Sequence, residues 1–300
     1  MNLAEHFEHP DLGHYTQLDH FYDSERKTIW CKLHGSPRPC FTPTLLSELA
    51  VFLEKVEQAV RDGELPLSYF VTSSTVPGVF NLGGDLQLFQ QLIQERDHAG
   101  LLAYAKACIN VLYTNAVHMN LPLTTIALVQ GSALGGGFEA AISSSVVIAE
   151  KGSEMGLPEI LFNLFPGMGA YSLLARKIGM REAEALITAG RLFRAEELHE
   201  RGVVDILAEP GTGVEAVHQY IRRHGRARNG LTAINRVREY LNPLTYEELL
   251  DITEIWVDAA LHLRDRDLRL MKKLVGGQNR LKATAGVAAK NVSRQSLAVA

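Results

Sequence analysis

Three consecutive glycines between an apolar strand and an apolar helix constrain the fold of this chain most strongly. Residues 130–139 have the sequence QGSALGGGFE. The β-branched, apolar residues 124–129 before them predict a buried strand, and the Ala-rich residues 138–142 predict a helix start. Glycines at such a junction let the backbone bring its N–H groups close to a ligand. Close packing of the helix on the sheet is the alternative, but three glycines in a row exceed what packing usually needs, so we expect a ligand-facing turn.

The start of this predicted helix also has the electrostatics of an oxyanion site. The first N–H groups of a helix have no partner inside it, and the helix dipole makes that end electropositive. An oxygen atom that gains negative charge during a reaction would be stabilised there. Glu139 lies three residues after Gly136, less than one helical turn away, so its carboxylate can reach the same place. The segment therefore predicts both an oxyanion donor and an acid or base.

Two further segments are candidates for chemistry. Residues 79–86, VFNLGGDL, place two glycines before a predicted helix that Asp85 could cap, although a tight turn with a helix cap explains the pattern equally well. Residues 155–160, MGLPEI, place Glu159 among apolar residues, where burial would raise the pKa of its carboxyl toward neutral pH. Considered alone, residues 155–160 are better interpreted as a loop in which Glu159 is exposed to solvent.

Several other site classes are excluded by motif. Residues 165–171, FPGMGAY, place Gly-X-Gly before a helix, but the full G-x-G-x-x-G is absent and no strand directly precedes it. We therefore exclude dinucleotide binding at this segment. A Gly-x-Ser-x-Gly nucleophile motif and the H-x-x-x-H and C-x-x-C spacings of metal ligands are also absent, so we expect no metal and no cofactor.

Composition and charge narrow the class of protein. The 46% hydrophobic and 21% charged fractions are ordinary for a globular chain of 300 residues. A net charge of −4 gives no reason to expect nucleic-acid binding. No apolar run approaches the ~18 residues of a membrane span, and the N-terminal residues lack the features of a signal peptide. The three cysteines, Cys31, Cys40 and Cys108, are odd in number and indicate reduced thiols, so we expect a cytoplasmic protein.

The order of predicted elements favours an α/β layered domain with a C-terminal helical cap, because strands and helices alternate over two thirds of the chain before helices alone follow. Strands are predicted at residues 28–33, 67–71, 124–129, 145–149 and 203–207, with a turn-rich segment at 72–78; helices are predicted at 44–60, 86–119, 171–178 and 181–189, and throughout 213–281. We divide the chain into a loosely held lead-in, a core, a helical cap or oligomerisation region, and a disordered tail, at residues 1–24, 25–210, 211–285 and 286–300.

Taken together, four segments resemble the crotonase (enoyl-CoA hydratase/isomerase) superfamily. Its F-x-x-G-x-D, G-x-x-x-G-G-G-x-E, G-x-P-E-x and P-G-x-G segments are matched, in order and spacing, at residues 80–85, 131–139, 156–160 and 166–169. The resemblance implies a ββα spiral core with a helical C-terminal region, usually assembled as homotrimers or dimers of trimers. It also implies that the N–H groups of Gly84 and Gly136 form an oxyanion hole, and that Glu139 and Glu159 are the two catalytic glutamates.

A more specific resemblance extends over most of the chain. The runs VFNLGGDL, IALVQGSALGGGFEAA, MGLPEILFNLFPGMGAYS and ITEIWVDAA are similar to the diffusible signal factor synthases, a bacterial branch of the superfamily. That branch implies a synthase of cis-2-unsaturated fatty acids used in quorum sensing. Such an enzyme dehydrates a 3-hydroxyacyl chain on acyl carrier protein to the cis-2-enoyl thioester, then hydrolyses the thioester to the free acid. The branch also implies that a regulatory sensor-domain partner can bind.

An acyl chain needs an apolar tunnel. Ile255, Trp256, Ala259 and Leu263 form an apolar helical stripe, and Leu274 continues its character. Core or subunit packing explains this stripe well; the sharper hypothesis is that Trp256 and Leu274, with Met168 from the core, line the acyl tunnel.

Two features bear on the acyl donor. Leu82 stands where CoA-using members often carry a small residue, which favours a carrier-protein donor. A basic cluster could meet the acidic surface of a carrier protein, although a solvated helix end explains it better; the cluster comprises Arg222, Arg223, Arg226 and Arg228.

Three functions remain open from the sequence. The first is the bifunctional synthase, a dehydratase and thioesterase, and the second is a plain enoyl-CoA hydratase with the same two glutamates. Release of free acid separates them. The third is a non-catalytic binding protein that has kept the fold, against which the retention of both Glu139 and Glu159 argues. Chain length, the carrier, and which glutamate acts as base are left open.

Overall fold

The computed structural model of the protein describes residues 10–273 and has two β-sheets surrounded by helices. The strands are β1 (Leu18–Asp23), β2 (Thr28–Leu33), β3 (Tyr69–Ser74), β4 (Gly78–Asn81), β5 (Thr124–Val129), β6 (Gly131–Leu134), β7 (Val146–Glu150), β8 (Glu154–Gly156), β9 (Leu192–Arg194) and β10 (Ile206–Ala208). The helices are α1 (Pro43–Arg61), α2 (Leu86–Gln94), α3 (His98–Ala116), α4 (Gly136–Ile142), α5 (Ala170–Ile178), α6 (Met180–Ala189), α7 (Ala195–Glu200), α8 (Gly213–Gly225), α9 (Arg228–Leu241) and α10 (Tyr246–Leu261). Short 3₁₀ turns occupy His118–Asn120 and Glu159–Phe162.

The larger sheet has six strands in the order β1-β2-β3-β5-β7-β10, and the smaller has four in the order β4-β6-β8-β9. Neighbouring strands run parallel except in the β1–β2 and β8–β9 pairs. Parallel strands need crossover connections. Here the chain steps from the larger sheet to the smaller one and then returns through a helix, as in β3-β4-α2-α3-β5 and β5-β6-α4-β7.

The larger sheet is buried on both faces, which explains its nearly continuous apolar strands. On one face, alternate residues such as Trp30, Val71 and Ile126 pack with Val217 and Ile221 of α8. The residues between them, such as Ile29 and Phe70, face the main core, which contains α1 and α3. The period-2 alternation of a strand therefore divides one run of sequence between two cores.

Most of the predicted elements are present. Strands β2 and β5 have the predicted bounds, and the predicted helix at residues 44–60 is α1. The long predicted helix at 86–119 is two helices, because Asp97 accepts the N–H of Gly100 at 2.9 Å and caps α3. The prediction of a turn-rich segment at residues 72–78 is wrong in part, because β3 extends to Ser74 and β4 begins at Gly78.

The expectation of a loosely held lead-in is wrong for the residues next to the core. Residues 18–23 form β1, which pairs with β2 in register from Leu18 opposite Leu33 to Asp23 opposite Thr28. Leu12 and Leu18 are buried in the main core. The alternation is weak in sequence because the polar His20 lies on the inward face with Leu18, whereas the apolar Phe21 lies on the outward face and is 60% exposed. The division into four regions otherwise stays a prediction, and the expected tail at 286–300 lies outside the described residues.

The α/β fold class is confirmed. Within residues 10–273, helices long and apolar enough to cross a bilayer are absent.

Candidate active site

The turn from β6 into α4 carries the three glycines, and each of them has a different neighbour. Gly135 has φ +51°, and a Cβ on it would lie 2.5 Å from Oε1 of Glu159. A Cβ on Gly136 would lie 3.4 Å from both the backbone N of Gly84 and Sδ of Met168. A Cβ on Gly137 would lie 2.1 Å from the carbonyl O of Asn81. Two glycines therefore face the candidate site, and the third permits the close packing that was the alternative explanation.

The turn from β4 into α2 approaches the first turn closely. Gly83 has φ +89°, donates its N–H to Oδ1 of Asn81 at 2.8 Å, and would place a Cβ 3.0 Å from the N of Gly136. Asp85 caps α2 as predicted, with Oδ1 accepting the N–H of Leu88 at 3.2 Å. The two glycine turns, about fifty residues apart in sequence, thus meet at the ends of the adjacent parallel strands β4 and β6.

A network behind the second turn holds it in place. The N–H of Asp85 donates to the hydroxyl of Tyr104 at 3.0 Å, and that hydroxyl donates to the carbonyl of Phe41. On the other side, Arg38 forms an ion pair with the Asp85 carboxylate at 2.7 Å. Gly84 is therefore bordered by a residue whose N–H and carboxylate are both bound.

The N–H groups of Gly84 and Gly136 are available as hydrogen-bond donors. Among the backbone hydrogen bonds of residues 10–273 outside regular helices and strands, none uses either group as a donor. Gly136 is the first residue of α4, where an N–H has no partner within the helix. These two N–H groups and the N-terminal end of α4 form a site for an oxyanion.

Glu139 lies on α4, three residues after Gly136, and is only 1% exposed. Its Oε1 accepts two backbone N–H groups, from Met168 and Ala170, each at 2.9 Å. Burial raises the pKa of Glu139 to about 7, although the two backbone donors act in the opposite direction by stabilising the carboxylate. The loop at residues 165–169 and the first residue of α5 therefore position this carboxylate, a role that was not assigned from sequence.

Glu159 lies at the start of the 3₁₀ turn after β8, with its Oε1 next to Gly135. The residue as a whole is partly exposed, but its Oε2 is buried and has no hydrogen-bond partner among the described residues. Burial, followed by the negative charge of Glu139, raises the pKa of Glu159 to about 8. The solvated loop glutamate favoured by the segment alone is not what the structure has.

The two carboxyls form a coupled pair at neutral pH. Each is buried, and ionisation of one raises the cost of ionising the other. The two N–H donors stabilise the carboxylate of Glu139, whereas Oε2 of Glu159 has no hydrogen-bond partner among the described residues, so Glu159 is the more readily protonated of the two. A protonated acid, an ionised base and two free N–H donors are what proton transfer next to a carbonyl requires.

Comparison with known proteins identifies the family of the chain. The model of the family described as enoyl-CoA hydratase/isomerase matches residues 30–239. The chain belongs to the enoyl-CoA hydratase/isomerase family.

Individual relatives show how distant the matches are. Rat mitochondrial methylglutaconyl-CoA hydratase is 29% identical over 176 residues, which cover 59% of this chain and 53% of that protein. The chain thus spans about half the length of the curated relatives it matches. An enoyl-CoA hydratase from Bacillus halodurans has a similar solved structure, with TM-score 0.71 and 18% identity over 89% of this chain and 100% of that one. Pseudomonas aeruginosa DspI has TM-score 0.66 and 22% identity over 82% and 96% of the two chains. These structural likenesses show the fold.

Within this family fold, the predicted tunnel residues have separate positions. Met168 lies beside Gly136 and lines an interior cavity that reaches α1 and α3. Trp256 is 3% exposed and packs against Phe89, with ring centroids 5.0 Å apart, and over the backbone of Gly167. Trp256 does not line that cavity, so its contacts favour the packing explanation of the stripe. Leu274 lies outside the described residues.

The residues that the sequence linked to the acyl donor are Leu82 and the four arginines of the basic cluster, and their surroundings differ. Leu82 is buried, at 3% exposed. Arg222 pairs with Glu215 at 2.7 Å, and Arg228 donates to the carbonyl groups of Leu67 and Pro122, each at 3.2 Å. Arg223 and Arg226 are exposed. Among residues 10–273, groupings of three or more His, Cys, Asp or Glu side chains suited to a metal ion are absent.

Proposed function

We propose that this member of the enoyl-CoA hydratase/isomerase family synthesises a cis-2-unsaturated fatty acid signal from a 3-hydroxyacyl chain on acyl carrier protein. The observation that carries the proposal is the buried Glu139–Glu159 pair next to the free N–H groups of Gly84 and Gly136. The product is proposed from the resemblance of the sequence to the diffusible signal factor synthases.

The first step is dehydration. One carboxylate takes the proton from C2, the C2–H electron pair forms the C2–C3 double bond, and the hydroxyl at C3 leaves as water with the proton of the other carboxyl. The negative charge that develops on the thioester oxygen is stabilised by the N–H groups of Gly84 and Gly136. Each such donor typically contributes about 10²–10³ in rate, and general acid–base catalysis about 10²–10⁴. The pair holds one proton before and after this step.

The second step is hydrolysis of the enoyl thioester. Water attacks C1 while a carboxylate of the pair takes its proton, and the same two N–H groups stabilise the tetrahedral oxyanion. The C–S bond then breaks, the thiolate of the carrier leaves and takes up the proton, and the free acid is released. One site therefore serves both steps, because charge develops on the same oxygen atom in each.

Assembly and partners belong to the same proposal. An assembly into homotrimers or dimers of trimers, and the binding of a regulatory sensor domain, would each bury surface that one subunit leaves exposed. Helix α9 offers such a surface, since Ile234, Val237, Tyr240 and Leu241 are exposed.

Mass spectrometry of the products tests the proposal. The purified protein is incubated with 3-hydroxydodecanoyl carrier protein beside the double variant Glu139→Gln/Glu159→Gln and a surface control, Glu247→Gln. We expect free cis-2-dodecenoic acid from the parent and the control, and none from the double variant. The same yield of acid from the double variant would exclude these carboxyls from the chemistry.

A plain enoyl-CoA hydratase is the second candidate, favoured by the names of relatives such as methylglutaconyl-CoA hydratase. In that case the protein would interconvert the hydroxyacyl and enoyl thioesters and leave the thioester bond intact. Accumulation of enoyl thioester without free acid would favour this function. Absence of turnover by both proteins, on carrier-linked and CoA-linked substrates, would favour the binding protein.

A further inference from the structure

An interior cavity and a surface groove lie on either side of helix α1. The interior cavity has a volume of about 50 Å³ and includes Gly136 and Met168 of the candidate active site in its walls. The groove, of about 410 Å³, lies between α1, α2 and α3 and is open at the surface. Neither volume follows from the sequence motifs.

The walls of the interior cavity suit a hydrocarbon chain. They are formed mainly by aliphatic and aromatic side chains, such as Leu49, Leu53, Phe70, Val111 and Leu112. The polar wall residue Asn115 donates to Oγ of Ser143 at 2.9 Å and of Ser144 at 3.2 Å, while its Oδ1 has no hydrogen-bond partner among the described residues. Thr72, Cys108 and Ser143 also contribute to the walls, and none of the wall residues is charged. The cavity thus offers mainly apolar burial with a few neutral polar groups.

Helical periodicity explains why the two spaces are adjacent. Along α1, Leu46, Leu49 and Leu53 face the interior cavity at i, i+3 and i+7, whereas the small residues Ser47 and Ala50 face the groove. The side chain of Leu46 lines both spaces and is only 2% exposed. The side chain of Leu46 therefore separates the cavity next to the active site from the groove at the surface.

We propose that the acyl chain of the substrate enters the interior cavity from the oxyanion site and that Leu46 sets the longest chain that fits. This inference rests on the proposed function for its substrate class, an acyl thioester. A cavity of about 50 Å³ has room for a few water-sized groups, so it accepts only part of a long chain. Further methylenes have to displace Leu46, beyond which the groove with its small residues, Ser47, Ala50, Ala103 and Ala107, provides space.

Direct binding of free saturated fatty acids with 8 to 16 carbons, measured by isothermal titration calorimetry, tests the proposal without catalysis. In the parent we expect the affinity to rise about fourfold for each added methylene that is buried, and then to stop rising. In Leu46→Ala the rise should continue to longer acids, and in Leu46→Phe it should stop at a shorter one. The matched control is Leu45→Ala, because Leu45 is an equally buried neighbour on α1 that lines neither space.

The outcomes separate this inference from the proposed function. Equal chain-length profiles for Leu46→Ala and Leu45→Ala would overturn the role of Leu46, and absence of binding of every acid to the parent would overturn the cavity as the acyl site. If Leu46→Ala fails to fold, the shorter limit expected of Leu46→Phe still decides. Fatty-acid binding with the expected profile, but no release of free acid from a hydroxyacyl carrier protein, would refute the synthase and leave the acyl site intact.

Discussion

The turn that begins α4 and the surface helix α9 each contain glycine, but their surroundings differ completely. Gly137 stands where a Cβ would lie 2.1 Å from the carbonyl of Asn81, whereas a Cβ on Gly230 would have no atom within 4 Å. Helix α9 has no buried residue, and Tyr240 on it is 87% exposed. The same residue type is therefore required in one region and dispensable in the other, because only the first is enclosed by other parts of the chain.

The largest effect is expected where this enclosure is tightest. Gly137→Ala would force α4 away from β4, since a carbonyl oxygen of the backbone cannot move aside as a flexible side chain can. We expect a loss of about 3 kcal/mol or more in the free energy of unfolding, measured by urea denaturation. Gly136→Ala, with contacts at 3.4 Å, should cost clearly less. Equal stabilities for the two variants would refute this account of the turn.

The burial of Glu139 should appear as a pH dependence of stability. Because its folded pKa is raised to about 7, the folded protein binds more protons than the unfolded chain between about pH 4.5 and pH 7. The parent should lose stability as the pH rises through this window, by about 1.4 kcal/mol per unit of raised pKa. Glu139→Gln removes this penalty, so urea denaturation at pH 8 should show it to be about 2–3 kcal/mol more stable relative to the parent than at pH 4.5.

Glu48 provides the control of opposite sign. Burial acts to raise its pKa, but hydrogen bonds from the hydroxyl and N–H of Thr16 and the N–H of Gln17 lower it below the usual value. Its stabilising contribution is present above the unfolded pKa and is lost as the pH falls. Glu48→Gln should therefore lower the free energy of unfolding most at neutral pH and least at acidic pH. A pH-independent difference between Glu139→Gln and the parent would contradict the assigned burial.

A smaller effect is expected from the network behind Gly84. Tyr104→Phe removes a hydroxyl that accepts from the N–H of Asp85 and donates to the carbonyl of Phe41, so two buried backbone groups lose a partner. We expect a loss of about 2 kcal/mol in the free energy of unfolding. We also expect a lower kcat, because the N–H of Gly84 is no longer held in place. The exposed Tyr240→Phe on α9 should change neither quantity, and an equal effect of the two substitutions would refute the role of the network.

The smallest effect is expected in α9 itself. Gly230→Ala should stabilise the protein by about 0.5–1 kcal/mol, because alanine loses less backbone entropy in a helix and the added methyl group meets no other atom. Thermal and urea denaturation of the variant and the parent provide the measurement. Destabilisation would mean that α9 is enclosed in solution, for example by another copy of the chain.

Local signals in the sequence were sufficient for much of the fold. The apolar runs predicted β2 and β5 with their observed bounds, and the helical spacing after Pro43 predicted α1. The short strands β6, β8 and β9, of three or four residues, carry too little periodicity to be recognised. Strand β1 was missed because a polar residue, His20, faces inward and an apolar one, Phe21, faces outward, so its alternation of apolar and polar residues is incomplete.

For the site, the residues themselves determined which chemistry was possible, and the tertiary structure determined how they are arranged. Glycines before a helix, an aspartate at its cap and two glutamates in apolar segments are local features, readable from residue type and spacing. Whether Glu139 is buried, whether Glu159 lies next to Gly135, and whether Gly84 meets Gly136 depend on contacts between distant segments. Only those contacts remove water from the carboxyls and bring their charges together, and both effects decide the pKa values on which the proposed chemistry depends.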